Sequence, residues 1–479
     1  MKKIIALLCV ICVVVGLFAG CSFGKKGGDT EILWYVPGDV QPDQDTVMAE
    51  VNKILKEKIG VTLKIQFIPQ SAYAERMKMI MASGAEYDLC FTSNWLNYYK
   101  QAVDNAALYD MTDLVEKNPE LYDVVPKRYI DGVKMDGRLY AFPNMQIMAQ
   151  PLAVYARKDL LEKYNFDLQT VEHIRDIEPF LESVKKGEKG IYPFRTKWGP
   201  AMWVNEFWGE MQAIGLWFNY ETHEFKPRFE VPEYIDHVNT FRDWYKKGYI
   251  RSDEASAGDD TTDSKQNKYA VQMSGYKPGQ VAPDNQTNCE YDYKVLLTLP
   301  MSEGCASATM TGISITSKNP EKAFEVIKLV NTDKELYNLI CNGIEGKHYK
   351  LNEEGKIIPD ETSGYCPNVD WEFGNQFNAL IDEGMPDDVW EQTKMLNESA
   401  KMSPLSGFAY DDTETSLDIS NLRAVMDEYK DYTTPANFES YRKNYEAKMK
   451  AAGCDKVYAD IEKQIKAFLK EKGIKPVEK

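Results

Sequence analysis

The segment EILWYVPGDVQPDQDTVMAEVNKILKEKIGVTLKIQFIPQSAYAERMKMIMASGAEYDLCFT, residues 31–92, decides the fold of this chain. Three runs in it have the composition and alternation of β-strands, at residues 31–36, 61–67 and 87–92. Apolar residues recur at helical spacing between the runs, which predicts a helix over residues 46–58 and a second that ends at about Ser83. Strands and helices that alternate in this way predict an α/β fold, with a parallel sheet between helices on both faces.

Residues that follow these strands are candidates for binding a ligand, because open parallel sheets bind ligands beyond the carboxyl ends of their strands. Asp39, Asn94 and Trp95 stand at such positions, and Tyr35 lies near the end of the first strand. We predict these four residues as ligand contacts. The alternatives are a turn or helix cap for Asp39, capping of the loop by Asn94 and Trp95, and inward packing for Tyr35.

Four of the nine tryptophans fall close together, at positions 198, 203, 208 and 217. Pro200 suits the first turn of a helix, on which Trp203, Phe207 and Met211 would share one face and pack in the core. Trp208 points elsewhere on that helix, so it is a candidate ligand contact, with core packing as the alternative. Sugar rings stack on aromatic faces, and their hydroxyls bond to amides and carboxylates. Such side chains suit a neutral oligosaccharide.

The chain is acidic, with 57 Lys and Arg against 74 Asp and Glu and a formal net charge of −17. This charge argues against nucleic acid, whose binding proteins carry a basic surface, and against adsorption to anionic lipid. A length of 479 residues predicts two or three domains.

Six cysteines follow residue 21, and their spacing matches no zinc motif; they are residues 90, 289, 305, 341, 366 and 454. We expect mostly buried free thiols, although an extracellular location would permit disulfides. None of the four histidines is paired at the spacing of metal ligands. The sequence therefore predicts neither a metal nor a cofactor.

The amino terminus has the pattern of a secretory signal peptide, with a basic start, the apolar run 4–18 and then Ala19-Gly20-Cys21. The run is shorter than the roughly 20 residues that a spanning helix needs. The small pair before Cys21 resembles a bacterial lipobox, with Phe18 where that pattern usually has Leu. The resemblance implies a signal peptide over 1–20, lipidation of Cys21, and a flexible tether over 21–29 on the outer face of the cell membrane. An ordinary secreted protein or an uncleaved anchor is the alternative.

Several later segments resemble one family in their order along the chain. They are DGRLYAFP at 136–143, VYARKDL at 154–160, TGISITSKNPEKA at 311–323, NGIEGKHY at 342–349 and WEFGNQF at 371–377. Together they resemble the extracellular solute-binding proteins of ABC importers, family 1, in a lipoprotein subgroup with a distinctive C-terminal region. The resemblance covers nearly the whole chain after the signal peptide.

The resemblance implies a two-lobed, periplasmic-binding-protein-like fold of class II, with a mostly parallel sheet flanked by helices in each lobe and the ligand in the cleft. Lobe one would comprise 30–147 and 310–350, and lobe two 148–309 and 351–479. The chain would cross between them near 143–151, near 305–312 and a third time after 349. Closure about a hinge is the usual motion of such proteins.

The resemblance also implies further ligand contacts and a function. Trp371, Glu372 and Asn375 lie in the segment that would feed the cleft from lobe two, with packing at the lobe junction as the alternative for Trp371. The protein would be a monomeric, lipid-anchored receptor that passes an oligosaccharide to an ABC permease and is not an enzyme. The chain has no GxxxxGK[ST] motif, so the ATPase would be a separate protein.

Two other functions stay open at this point. One is a ligand sensor or adhesin on the same scaffold, which would signal to a membrane kinase. The other is a surface carbohydrate-active enzyme, which needs two carboxylates on either side of the scissile bond. The chain has no GxSxG or HExxH motif, but its many acidic residues leave a glycosidase possible from sequence alone.

Overall fold

The computed structural model describes residues 30–196, 200–254, 256, 261–283 and 289–477. The predicted signal peptide, the tether with Cys21, and Trp198 lie outside these residues. Among the described helices, none is long and apolar enough to cross a membrane.

The first sheet is built from the segment that the strand and helix pattern singled out. Its strand order is β2-β1-β3-β12-β4, with bounds β1 (Thr30–Pro37), β2 (Val61–Ile68), β3 (Leu89–Thr92), β4 (Ala141–Pro143) and β12 (Met310–Ile313). β1 is parallel to both β2 and β3, and the connecting helices are α1 (Gln44–Ile59) and α2 (Gln70–Ser83). These elements confirm the order and type predicted for residues 31–92.

Successive side chains of β1 point to opposite faces of this sheet, and those on one face are fully buried. Trp34 is fully buried against Phe373, at 5.2 Å between ring centroids, whereas Tyr35 is half-buried against Tyr87 on the other face. We call the buried cluster around this sheet the first core. The other helices near it are α3 (Tyr99–Asp104), α4 (Thr112–Glu116), α5 (Lys127–Gly132), α10 (Pro320–Thr332) and α11 (Lys334–Asn342).

The second sheet has the order β11-β5-β10-β6, and its main buried cluster is the second core. Its strands are β5 (Gln150–Arg157), β6 (Tyr192–Phe194), β10 (Tyr269–Gly275) and β11 (Tyr291–Leu299). Along β5 the side chains alternate, so that Val154 packs in the second core and Tyr155 packs on the opposite face. The helices between these strands are α6 (Lys158–Lys163), α7 (Glu178–Gly187), α8 (Pro232–Lys247) and α9 (Thr261–Lys265).

A third, smaller sheet packs with the carboxyl-terminal helices to form the third core. Its strands are β7 (Trp208–Met211), β8 (Leu216–Asn219) and β9 (Phe225–Pro227), and the helices are α13 (Ser416–Glu428), α14 (Phe438–Ala451) and α15 (Cys454–Lys472). The helix predicted from Pro200 is wrong, because a short 3-10 turn at Pro200–Trp203 leads instead into β7. Pairing of Trp208 with Asn219 across the hairpin fixes the strand conformation there.

Both main sheets are mixed, where the resemblance implied mostly parallel ones. β12 is antiparallel to β3 and β4, and β5 is antiparallel to β10 and β11. The direction of β12 follows from the chain path. The chain returns from the second sheet, which it leaves at Leu299, and therefore runs along β12 in the direction opposite to β3 and β4.

The chain passes between the two main sheets through residues 144–149 and 300–309, near the two crossings that the sequence predicted. The sequence predicted that residues 351–479 belong to lobe two, but part of this segment packs with the first core. Tyr365, Phe373 and Ala400 pack with the first core, and Leu405 is in contact with the third core. A hairpin of β13 (Tyr349–Leu351) and β14 (Ile357–Pro359) precedes Tyr365 in the chain, and helix α12 (Val389–Ser399) precedes Ala400. The full lobe boundaries stay a prediction.

All six cysteines after residue 21 are free. Cys90, Cys341 and Cys454 are buried, and the other three are half-buried. Burial raises the pKa of the Cys90 thiol to about 12, so this side chain stays a protonated, apolar group at neutral pH.

Candidate functional site

Two tryptophans meet at the carboxyl end of β3. The ring centroids of Trp95 and Trp371 are 6.1 Å apart, and both rings contact the edge or face of Phe91, at 6.2 and 5.8 Å. We call Trp95 and Trp371, with Phe91 beneath them, the tryptophan platform. Trp95 is 42% exposed and Trp371 is half-buried, so aromatic surface remains accessible to a ligand.

Hydrogen bonds hold the platform in one orientation. The Trp95 indole N–H donates to the carbonyl of Ala308 at 2.8 Å, and the Asn94 backbone N–H donates to the carbonyl of Ser307 at 2.9 Å. The Ser93 hydroxyl accepts from the backbone N–H of Trp95 at 3.2 Å. A rigid aromatic face loses little conformational entropy when it binds, which favours recognition by stacking.

The loop that carries Trp95 is built by local polar contacts. Asn97 has a positive φ of 50°, and its side-chain amide donates to the carbonyl of Phe91 at 2.8 Å. The Thr92 hydroxyl donates to the Asn97 carbonyl at 2.6 Å. Asparagine tolerates this left-handed backbone better than most residues, which explains why it occupies the turn.

Glu372, the residue after Trp371, is buried rather than presented to solvent. It is 1% exposed, and its Oε2 has no hydrogen-bond partner among the described residues. Burial, reinforced by the charge of Asp370, raises the pKa of Glu372 to about 9. The side chain is therefore protonated and uncharged at neutral pH.

Other contacts tie the platform to the first connection between the sheets. The Asn144 amide donates to the Glu372 carbonyl at 2.7 Å, and the backbone of Met145 bonds to both Gly374 and Gln376 at 2.8 Å. These bonds join the first connection to the segment that holds Trp371.

Asn397 of α12 fixes the same connection from its other side. Its Oδ1 accepts from the backbone N–H groups of Met148 and Ala149 at 2.6 and 3.0 Å, and its Nδ2 donates to the Gln146 carbonyl at 2.9 Å. Asn397 is 2% exposed, so these three backbone groups have no direct replacement from solvent.

A cavity of about 240 Å³ adjoins the platform segment, and we call it the interlobe cavity. Ile147 of the first connection, Lys277 after β10, and Asp370 beside Trp371 all line it, so its wall comes from both sheet regions. The amide of Gln376 donates to Asp370 Oδ2 at 2.6 Å within that wall. An amide and a carboxylate in this arrangement are suited to bond sugar hydroxyls.

The predicted contacts fall into two groups in the structure. Trp95 and Trp371 are in direct contact, and Asn94 and Glu372 adjoin them in sequence. Tyr35 is half-buried on β1, and its carbonyl accepts from the Tyr73 hydroxyl at 3.0 Å. These placements are consistent with a shared site, but the role of each side chain in binding stays a prediction.

The remaining predicted contacts have other roles in the fold. Asn375 is 8% exposed, and its Oδ1 caps a short 3-10 helix by accepting from the Phe377 N–H at 3.0 Å. Asp39 is exposed, and its carbonyl accepts from the Gln41 amide. Trp208 is 2% exposed in the third core, and this burial argues against the predicted ligand contact. The cause is the strand conformation of β7, which turns the ring inward.

Sequence reasoning missed the residues that support the platform. Phe91 was assigned only to a strand, and Ser307 and Ala308 were assigned only to a crossing. The aromatic sequence from Phe91 to Tyr99 was a usable signal, because it places four aromatic side chains around one strand end. The contact with Ala308 had no local signal.

The profile of the bacterial extracellular solute-binding protein family matches residues 38–336, which is more than half of the chain. The chain therefore belongs to this family, and the predicted family membership is confirmed. Residues 404–470 match a domain of unknown function (DUF3502), in the part of the chain for which the sequence predicted a distinctive C-terminal region.

The relatives of this chain are solute-binding proteins. It is 27% identical to a carbohydrate ABC transporter substrate-binding protein of Streptococcus pneumoniae, over 98% of this chain and 97% of that protein. The crystal structure of the N-glycan transport solute binding protein NgtS from S. pneumoniae is similar, with a TM-score of 0.80 and 26% identity over 92% of this chain and 100% of that one. NgtS in complex with Man5GlcNAc gives a TM-score of 0.64 at 26% identity, over 92% and 99% of the two chains. These similarities confirm the predicted two-lobed α/β fold.

Proposed function

We propose that this protein binds neutral oligosaccharides outside the cell and delivers them to an ABC permease, without altering them. The observation that carries the proposal is the tryptophan platform, an accessible pair of indole rings at the carboxyl end of β3 in a solute-binding protein. Aromatic faces stack on the C–H patches of sugar rings, and the neighbouring Asn94 and Gln376 offer amides to sugar hydroxyls.

The electrostatics favour an uncharged ligand. The chain has a net charge of −17, which disfavours binding of acidic glycans by like-charge repulsion. Glu372 is protonated at neutral pH, so the carboxyl group that follows Trp371 in the chain adds no charge. The relatives support a carbohydrate, since one is a carbohydrate transporter component and NgtS has a structure in complex with Man5GlcNAc.

The anchor and the transport partners extend this proposal. Lipid on Cys21 would hold the monomeric protein at the outer face of the cell membrane. Residues 21–29 would form a flexible tether that allows the lobes to contact the permease. The ATPase of the importer would be a separate protein, because the chain has no P-loop motif.

A thermal-shift series with calorimetry tests the ligand class. We expect Man5GlcNAc to raise the unfolding temperature, because a ligand at 100 times its Kd stabilises the native state by about 2.7 kcal/mol. Peptides and amino acids serve as negative controls. A shift with peptides and none with glycans would refute the proposal, and release of smaller sugars from the glycan would instead indicate an enzyme.

Fractionation of cells tests the anchor independently. The wild-type chain is expected in the membrane fraction and to incorporate labelled fatty acid. Cys21→Ala should abolish the labelling, because the variant lacks the thiol that would carry the lipid. Labelling that persists in Cys21→Ala would refute lipidation at this residue.

A further inference from the structure

A second cavity, of about 300 Å³, lies beside the tryptophan platform. We call it the Tyr98 cavity. Its wall comes from three segments: residues 94–100, residues 132–135 at the carboxyl end of α5, and the 3-10 turn Glu303–Ala308. The volume is at the lower end of the range for ligand pockets, roughly 300–1,000 Å³. None of the residues predicted as ligand contacts, except Asn94, belongs to it.

The cavity wall and the platform are adjacent along the chain. Asn94 and Ser307 line the cavity, and each is followed by a residue of the platform's support, Trp95 and Ala308. Consecutive Cα atoms are about 3.8 Å apart, so the backbone of the cavity wall begins one residue away from Trp95 and from Ala308. The Asn94–Ser307 backbone hydrogen bond, at 2.9 Å, keeps this wall fixed.

The cavity wall has the chemistry of a neutral sugar subsite. Tyr98 is 54% exposed and offers an aromatic face with a hydroxyl at its edge. The two lysines in the wall are each paired with a nearby aspartate, Lys100 with Asp104 of α3 at 2.7 Å and Lys134 with Asp131 of α5 at 2.9 Å. Their charges are therefore compensated, and an anionic group gains little from them.

The wall is also fixed before any ligand binds. The backbone N–H of Tyr140 donates to the Tyr99 hydroxyl at 3.2 Å, and the Ser307 hydroxyl donates to the Gly304 carbonyl at 2.6 Å. Tyr98 itself follows Asn97, whose side chain and carbonyl are both hydrogen-bonded to β3. A site formed in advance loses less entropy on binding.

We infer that the Tyr98 cavity is an additional subsite, which takes a sugar unit or branch that extends beyond the part of the glycan stacked on the platform. The inference rests on the proposed function and adds to that function a preferred size of ligand. The protein prefers branched or longer neutral oligosaccharides over disaccharides, because only these reach both the platform and Tyr98.

Affinity measured against glycan length tests this inference. Calorimetry compares the disaccharide Man1GlcNAc with Man5GlcNAc on the full mature protein. Tyr98→Ala should weaken binding of the longer glycan at least fivefold and that of the disaccharide less than twofold. Tyr98→Phe keeps the ring and should restore most of the affinity for the longer glycan. Met79→Ala, on α2 and 57% exposed, is the matched control for loss of an exposed side chain and should change neither affinity.

A second variant blocks the cavity from another segment. A Cβ atom added at Gly304 meets no atom closer than 3.7 Å, so Gly304→Leu fits the backbone and places its side chain at the cavity wall. It should lower affinity for the longer glycan alone. Equal losses for both glycans, or no loss in either variant, would overturn the subsite while leaving the platform as the binding site. Absence of binding by the wild-type protein to either glycan would overturn the proposed function and the subsite together.

Discussion

Replacement of Trp371 by alanine is the most direct perturbation of the tryptophan platform. The change removes one ring of the exposed pair and its contacts with Trp95 at 6.1 Å and Phe91 at 5.8 Å. Aromatic pairs contribute about 0.5–1.5 kcal/mol beyond their buried area. If one sugar ring stacks on Trp371, the same range applies to the ligand, and binding weakens by about 1 kcal/mol, or about fivefold in Kd.

The stability cost of the same change follows from its two ring contacts. Loss of both pairs should lower the free energy of unfolding by about 1–3 kcal/mol beyond the cost of the lost buried area, so the total approaches the roughly 3–5 kcal/mol of a buried Trp→Ala change. This is smaller than the stability of a typical domain, about 5–15 kcal/mol, so the variant is expected to fold and to yield a measurable Kd. Trp95 remains supported by Phe91 at 6.2 Å and by its indole hydrogen bond to Ala308.

Titration calorimetry with Man5GlcNAc and urea unfolding together separate binding from folding. Trp371→Phe retains a ring against Phe91 and should recover part of the affinity. Met79→Ala should leave both measurements unchanged. An unaltered Kd in Trp371→Ala, with a cooperative unfolding transition, would show that the ligand does not stack on this ring and would refute the argument from the platform.

Three further substitutions test the surrounding structure. Because the folded-state pKa of Glu372 is raised to about 9, wild-type stability should fall as the pH rises from about 4.5 to 9, by up to about 1.4 kcal/mol per pH unit, and Glu372→Gln should flatten this slope in denaturant unfolding. Asn397→Ala leaves two buried backbone N–H groups and one half-buried carbonyl without their partner and should cost at least about 2 kcal/mol in the same assay. Trp208→Phe should lower stability by about 1–3 kcal/mol and leave the calorimetric Kd unchanged.

Each of these expectations has a contrary result. Parallel pH profiles for wild type and Glu372→Gln would show that Glu372 is ionised in the folded protein at neutral pH. Met395→Ala, exposed on the same helix as Asn397, controls for side-chain loss on α12, and an equal effect of both variants would remove the special role of Asn397. A weaker Kd for Trp208→Phe would restore Trp208 as a ligand contact.

The outcome for the tryptophans shows why site prediction was harder than fold prediction. Trp95 was placed correctly at a strand end because the strand pattern of residues 87–92 and the rule for parallel sheets depend on neighbouring residues only. Trp208 was assigned to a helix because its apolar neighbours also fit helical spacing, yet cross-strand pairing with Asn219 decided the conformation. Competing periodicities over a short segment are resolved by tertiary partners.

The sequence by itself determined the strands and helices of residues 31–92 and the family to which the chain belongs. These features depend on local periodicity and on short motifs, which can be recognised without knowing which distant residues are in contact. Only the tertiary structure brought Trp371 onto Trp95, buried Glu372 and opened the Tyr98 cavity. Those arrangements join segments far apart in the chain, and their geometry is set by which side chains fill the core when the two sheets and their connections pack together.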